Sequence, residues 1–335
     1  MSFQRIVIGV DFSTASLNAV RWVAAHFAPR AKLFLAHVVT RPHTPAFLRG
    51  ESWSDDVEPA LFPGLSGFAD LAGARWTEVA VRQGRPELEL AAFARDLGAD
   101  LICVGRSQRR RGAGRFGATT PQRLLARTSA PVLVVPAEAR LPPVSLLAAV
   151  SDGAEGDRVI RTAAELATAW DARIDVLHSV DPAIAAAAGA AGDHVRSATD
   201  LTEAWLERRV SEVPMRGRHV ATIGHVGEAS DAIISHATRA STDLVVMGRR
   251  TEPEDAVAAA GCIGSTTRMV TWATPCPVLV VGSRRTVRST DDVGLPRRAW
   301  ERGLAERGIA RPRRALRATS DTPPGPTSPA SRARA

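Results

Sequence analysis

The chain has 335 residues, 45% of them apolar, with 43 basic against 35 acidic side chains and a formal net charge of +8. Residues 284–335 hold 13 arginines against 5 acids, which leaves 30 of each sign in residues 1–283, so the body is neutral and the tail carries the whole excess. Three scattered cysteines exclude a disulfide framework or a metal cluster, and no uncharged apolar run reaches the ~18 residues of a membrane span.

The length admits two ordinary domains, each able to bury a core. Met1 to Arg5 leads straight into a strand with no signal peptide ahead of it, so the expected location is the cytoplasm. Arg5 to Val10 is an apolar run ending at Asp11, and Asp11 to Thr14 supplies capping residues for a helix over Ala15–Phe27. Lys32 to Val39 is the second expected strand. Residues 41–74 have weak periodicity and read as an irregular excursion. Thr77 to Val81 is a third strand, Gln83-Gly84-Arg85-Pro86 a turn, and Glu87–Asp96 a helix. Leu101–Val104 and Val132–Val135 complete a set of five strands separated by helix-length segments, which implies right-handed crossovers and a mainly parallel sheet.

The second half repeats this order at offsets of 140 to 146 residues. Leu146–Val150 answers Ile6–Val10, Ile174–His178 answers Leu33–His37, Gly227 answers Gly84, Asp243 answers Asp100 and Pro277 answers Pro131. This is duplication of a whole domain, joined through Pro136–Pro143. The expected organisation is therefore a domain at 1–138, a second at 142–283, and an Arg- and Pro-rich tail at 284–335. Apolar periodicity ends after Val281, so the tail is expected to be disordered and dispensable for stability. Two short apolar strands, Val132–Val135 and Val278–Val281, end the two halves, and pairing them would cover both edges within one chain.

In a parallel α/β sheet ligands bind beyond the carboxyl ends of the strands at the switch point. That singles out Val10-Asp11 and Val104-Gly105. Asp11 is placed to accept hydrogen bonds from a ribose hydroxyl, and the N–H groups from Gly105 onward, with the helix start at Thr119-Thr120-Pro121, suit phosphate. The competing reading is that Asp11 and Thr119 merely cap helices.

Both halves resemble the universal stress protein domain, over residues 3–136 and 144–282. The resemblance rests on Val7-Ile8-Gly9-Val10-Asp11, His37-Val38, Gln83-Gly84-Arg85-Pro86, Asp100 to Gly105 and Ala130 to Val135, with their counterparts in the second half. It implies two tandem five-stranded parallel α/β domains with helices on both faces, of the adenine nucleotide alpha hydrolase-like kind, paired through their last strands. It also implies ATP or AMP binding, as in many members, with the backbone at Val38 taking the adenine edge and Mg2+ entering only with ATP. The nucleotide-binding members carry Gly-x2-Gly-x9-Gly-[Ser/Thr] after the fourth strand. Here Gly105 and Thr119 match, while Gln108 and Ala118 replace glycines. In the second half Gly248, Gly264 and Ser265 match, with Thr266 next to them, but Thr251 replaces a glycine and the loop is three residues longer. Ser151 stands in the place of Asp11, and Glu252, Glu254 and Asp255 would repel a polyphosphate.

Arg106, Arg109, Arg110, Arg111 and Arg115 put five cations into the first loop, and arginine suits bidentate phosphate contacts. The bland alternative is a solvated basic loop. The first-half site is thus expected at Asp11, Val38, Gly105, Thr119 and Thr120 with Arg109, Arg110 and Arg111, and a second site at Gly248, Gly264, Ser265 and Thr266. Neither a nucleophile elbow nor a Walker-type loop is present, and His37 and His178 read as satisfied strand-end histidines. The expected protein is a stress-response binding module without catalytic residues. The alternatives are a protein acting through partners, with its basic tail on nucleic acid or anionic surfaces, and a slow ATPase.

Overall fold

The structure, a computed structural model, describes residues 3–27, 31–40, 64–68, 70, 77–107, 119–139, 143–188, 194–215, 217–249 and 263–282. Arg109, Arg110, Arg111, the loop carrying Glu252 to Asp255 and the basic tail lie outside the described residues.

In the first half the elements are β1 (Arg5–Val10), α1 (Thr14–Phe27), β2 (Lys32–Val39), β3 (Thr77–Gln83), α2 (Pro86–Asp96), β4 (Leu101–Arg106), α3 (Thr120–Leu125) and β5 (Val132–Pro136). The second half has β6 (Ser145–Ala149), α4 (Ala154–Trp170), β7 (Arg173–Val180), α5 (Pro182–Ala188) and α6 (His194–Ser211). It ends with β8 (Val220–Val226), α7 (Ala229–Arg239), β9 (Leu244–Gly248), α8 (Ser265–Ala273) and β10 (Val278–Val281). The ten strands form one sheet in the order β3-β2-β1-β4-β5-β10-β9-β6-β7-β8. Every neighbouring pair is parallel except β5 and β10, which run antiparallel with Val278 opposite Val134, Leu279 opposite Leu133 and Val280 opposite Val132. The pairing of last strands therefore stands as a single ladder across the two halves.

The sheet is covered on both faces, which is why its strands are continuous apolar runs. Side chains alternate between faces. Ile6, Ile8 and Val10 join a core built on α1 and α4, while Val7, Ile102 and Val104 join one built on α2, α3, α7 and α8. The repeated Asp-Leu ahead of β4 and β9 has a backbone role. Asp100 accepts the N–H groups of Gln4 at 2.8 Å and Arg5 at 3.2 Å. Asp243 likewise accepts those of Val144 at 2.9 Å and Ser145 at 3.0 Å. Each carboxylate satisfies donors at the start of its half's first strand, which lack a ladder partner there.

The helices that follow the two loops are short, six residues in α3 and nine in α8. In both, the last carbonyls are bound from across the halves, so a short helix needs no further turn to satisfy them. At the β8 edge, α6 covers the strand: Glu203 accepts the Gly224 N–H at 3.1 Å, and a Cβ on Gly224 would fall 2.5 Å from the Thr199 carbonyl oxygen. Cys103 is fully buried and burial pushes its thiol pKa up, as for a small core residue. Among the described residues no helix is long and apolar enough to cross a membrane.

Between the halves, Trp22 and Trp170 meet edge to face at 5.7 Å, with the His26 ring 4.6 Å from Trp22. Burial without a partner for Nε2 depresses His26 to about 4. Its folded pKa lies below the ordinary value, so its neutral form contributes stability that is complete above about pH 6.5 and is lost as pH falls through 4. Thermal melts at pH 6.5 and 4 should show a smaller loss for His26→Phe than for the parent; equal losses would remove His26 from that role. Val134→Lys places a charge in the β5–β10 ladder, where Val134 is 1% exposed. It should cost about 3 kcal/mol or more and raise binding of an apolar-surface dye, while an unchanged monomer would place the pairing elsewhere.

Candidate functional site

The crevice forms where β1 stops before its neighbours. The β1–β2 register ends at Val10 opposite His37, yet β2 runs on through Val38 and Val39, paired there only with β3. Lys32 donates to Gln4 on the β1 side and the Val39 carbonyl accepts from Gly84 on the β3 side. By alternation Val38 turns its backbone toward the β1 side, beyond the last β1 register partner. On the other flank β4 continues past its β1 partner into Gly105 and Arg106, paired with Val135 and Pro136 of β5.

The chain leaves β1 through Asp11, Phe12 and Ser13. Ser13 donates its N–H at 3.0 Å and its hydroxyl at 2.5 Å to Asp11 Oδ1, and the Ser13 Oγ accepts the Ser16 N–H at 3.2 Å. The cap of α1 is therefore Ser13, and Asp11 braces that cap while staying exposed at the crevice mouth. Partial burial raises the Asp11 pKa, but the hydrogen bonds from Ser13 outweigh it, and the carboxyl lies below its ordinary value. His37 gives its Nδ1 proton to the Val10 carbonyl at 2.7 Å, and His178 repeats this with Val150 at 2.7 Å. Both ring nitrogens facing the strand are thus engaged with backbone.

The two places expected to take phosphate differ. Gly105 is a packing glycine: a Cβ there would lie 2.5–2.6 Å from the Ala15 carbonyl and the Ser16 nitrogen, so α1 rides directly on β4. At the start of α3, Thr119 gives its N–H to Gln122 Oε1 at 3.0 Å, one arm of a capping box, and Pro121 has no N–H to give. Of the Thr119-Thr120-Pro121 donors, Thr120 is left. In the second half, α8 starts from Gly264, which has no capping side chain and whose Cβ direction no described residue enters within 4 Å. Ser265 and Thr266 open that helix, while Gly248 abuts the Glu155 side chain.

The second crevice is crossed by the chain's own side chains. Arg209 of α6 donates to the carbonyl of Gly153, in the loop that answers Asp11 to Ser13, at 2.8 Å, and pairs with Asp157 in the first turn of α4. It lies over Trp205, 4.8 Å from the ring, and Trp205 lies 5.0 Å from His178.

The register thus groups Asp11, Val38 and Gly105 around the end of β1, with Thr119 and Thr120 at the start of α3. Arg106, counted in sequence as a phosphate-loop cation, does something else. It is buried and points across the β5–β10 seam, donating to the carbonyls of Thr271 at 3.0 Å, Trp272, and Thr274 at 2.5 Å, at the end of α8. Arg249 makes the reciprocal contact, donating to the carbonyls of Leu125 and Thr128 at the end of α3. Burial lowers both guanidinium pKa values from their ordinary value, with nearby Cys276 and Glu155 respectively opposing the shift. The negative end of each helix is a suitable host for such a cation. The repeat held the clue, since Gly105-Arg106 and Gly248-Arg249 are equivalent, 143 residues apart.

Because hydrogen bonds from a charged donor contribute roughly 1.5–3 kcal/mol each, Arg106→Gln should lower the unfolding free energy by about 3 kcal/mol in urea titrations. A solvated phosphate-loop arginine would leave it unchanged.

The model of the universal stress protein family matches residues 2–136 and again 145–282. Among solved structures, a universal stress protein from Archaeoglobus fulgidus is 16% identical, with 84% of this chain and 99% of that chain covered at a TM-score of 0.62. The structure of a putative universal stress protein from Pseudomonas aeruginosa is also 16% identical, covering 84% of this chain and 93% of that one at a TM-score of 0.56. At these identities the likeness is one of fold. No curated protein matches the sequence.

Proposed function

The chain belongs to the universal stress protein family, and from that premise we propose that it is a stress-response binding module taking ATP or AMP in its first half. The supporting observation is the crevice at the end of β1, where the ionised Asp11 stands exposed beside the stretch of β2 that has no β1 partner. A carboxylate there accepts ribose hydroxyls, and the backbone of Val38 offers an edge for adenine. On the phosphate side the reading assigns Thr119 and Thr120, with Arg109, Arg110 and Arg111 supplying charge. Gly105 serves by letting α1 approach. The proposed output is binding in the cytoplasm, with no residue assigned to catalysis and Mg2+ entering only with ATP. Contact of the basic tail with nucleic acid or anionic surfaces is a subsidiary proposal that rests on charge alone.

One observation favours a second reading, with phosphate held in the second half. At the start of α8 no described residue fills the Cβ direction of Gly264, whereas α3 is partly self-capped. Against it stand Ser151 in the aspartate position and Arg209 lodged at the counterpart loop.

Equilibrium dialysis with labelled ATP and AMP separates the two. A charge-assisted hydrogen bond contributes roughly 1.5–3 kcal/mol, so Asp11→Ala should weaken binding about tenfold or more, and Gly264→Asp should leave it unchanged. Loss in Gly264→Asp alone would move the site to the second half, and no binding by the parent would refute nucleotide binding altogether.

A further inference from the structure

Among the described residues three non-glycine positions adopt positive φ: Phe12 at 59°, Asp171 at 58° and Ser241 at 50°. Asp171 and Ser241 follow helices α4 and α7, where a left-handed residue ends the helix as a matter of course. Phe12 has no such excuse. It precedes the cap of α1, and a bulky aromatic side chain strongly disfavours the left-handed region.

What holds Phe12 there is visible. The hydrogen bonds from Ser13 to Asp11 Oδ1 bridge over it, closing a turn around the residue. Its ring stands 4.8 Å from the His37 ring and meets Phe68 edge-on at 5.4 Å. Gly64 leaves room for the ring edge, since a Cβ at that position would come within 3.2 Å of Phe12 Cε1. His37 is in turn tied to the Val10 carbonyl. The ring is therefore fixed by its neighbours, yet Phe12 remains 37% exposed. Folding normally buries a phenylalanine or leaves it free; here the backbone is held in a disfavoured region to keep an aromatic surface in place. Such strain persists where the surroundings over-determine it, which is typical of ligand sites. The ring follows Asp11 in sequence and stands beside His37, the last β2 residue with a β1 partner, one position before Val38.

We propose that Phe12 is the stacking platform for the base of a nucleotide in the first-half crevice, so that the crevice selects ligands carrying an aromatic base over phosphate alone. The inference rests on the first-half nucleotide reading. The base lies against the Phe12 ring with its polar edge toward the Val38 backbone, and the ribose falls to Asp11. The Asp11 carboxylate then has two tasks, since it also closes the turn that presents the ring.

The test is titration calorimetry on the full-length chain with ATP and, as a probe without a base, tripolyphosphate, combined with thermal melts. Phe12→Leu keeps apolar bulk, Phe12→Tyr keeps the ring, and Phe12→Gly accepts positive φ without strain. Base–aromatic stacking is strong enough that Phe12→Leu and Phe12→Gly should each weaken ATP about tenfold. Phe12→Tyr should stay within about threefold of the parent, and no variant should alter the response to tripolyphosphate. Phe12→Gly should melt at or above the parent temperature, which separates lost stacking from lost folding. Parental ATP affinity in both Phe12→Leu and Phe12→Gly would overturn the platform and leave the nucleotide reading standing. Absence of ATP binding by the parent would overturn both.

Discussion

The structure depends on one seam. At β5–β10 the two parallel halves meet antiparallel, through three opposed pairs of valine and leucine. A four- or five-residue strand pair is a weak joint by itself. Here it is reinforced on either side by an arginine that reaches across and binds the last carbonyls of the other half's final helix. Neither helix could leave those carbonyls bare in a buried place, and neither arginine could be buried without them. Each half completes the other. Gly282 belongs to the same seam, packed so close to the Ser129 carbonyl that a Cβ would lie 2.0 Å from it.

The seam also fixes where chemistry can occur. Strands within a half are parallel and the halves are antiparallel to one another, so the carboxyl ends of β1 and β6 open toward opposite ends of the sheet. The two crevices cannot merge into one, and each must be judged on its own residues. Arg106 and Arg249 sit immediately beyond the glycines that begin the two loops, so the first cation of each loop is already committed to structure. Under the nucleotide reading, charge for a phosphate has to come from further along the loop or from backbone.

The halves have diverged while keeping the frame. The Asp100 and Asp243 brackets, the His37 and His178 contacts and the arginine clamps are duplicated almost bond for bond. Elsewhere the same place is filled by different physics. Phe34 and Phe93 meet edge to face at 6.4 Å between β2 and α2, and the equivalent Asp175 and His236 form a hydrogen bond at 2.8 Å between β7 and α7. Both solutions fill the gap between strand and helix, one by apolar area and one by a partnered polar pair. At the crevices the divergence is larger. The first presents Asp11 and an exposed Phe12, and the second has Ser151 and an arginine laid over its loop.

The sequence by itself determined the ten strands, the duplication and the pairing of last strands. These follow from period and order: apolar runs such as Ile6–Val10 and Leu244–Gly248 must be buried on both faces, and an uncovered Val132–Val135 needs a partner. It also marked Asp11 and Gly105 as neighbours, because a parallel sheet gathers strand ends, while Val38 came in through the family resemblance. It could not reveal what Arg106 does, since an arginine after a strand-end glycine looks the same whether it faces solvent or a helix end 165 residues away. Nor could it distinguish Gly105, whose missing side chain admits α1, from Gly264, whose Cβ direction no described residue enters. The left-handed backbone of Phe12 was equally hidden, because local propensity argues against it. Only the tertiary structure decides such matters, for the reason that contacts between residues distant in sequence override local preference and have no signature in spacing or composition.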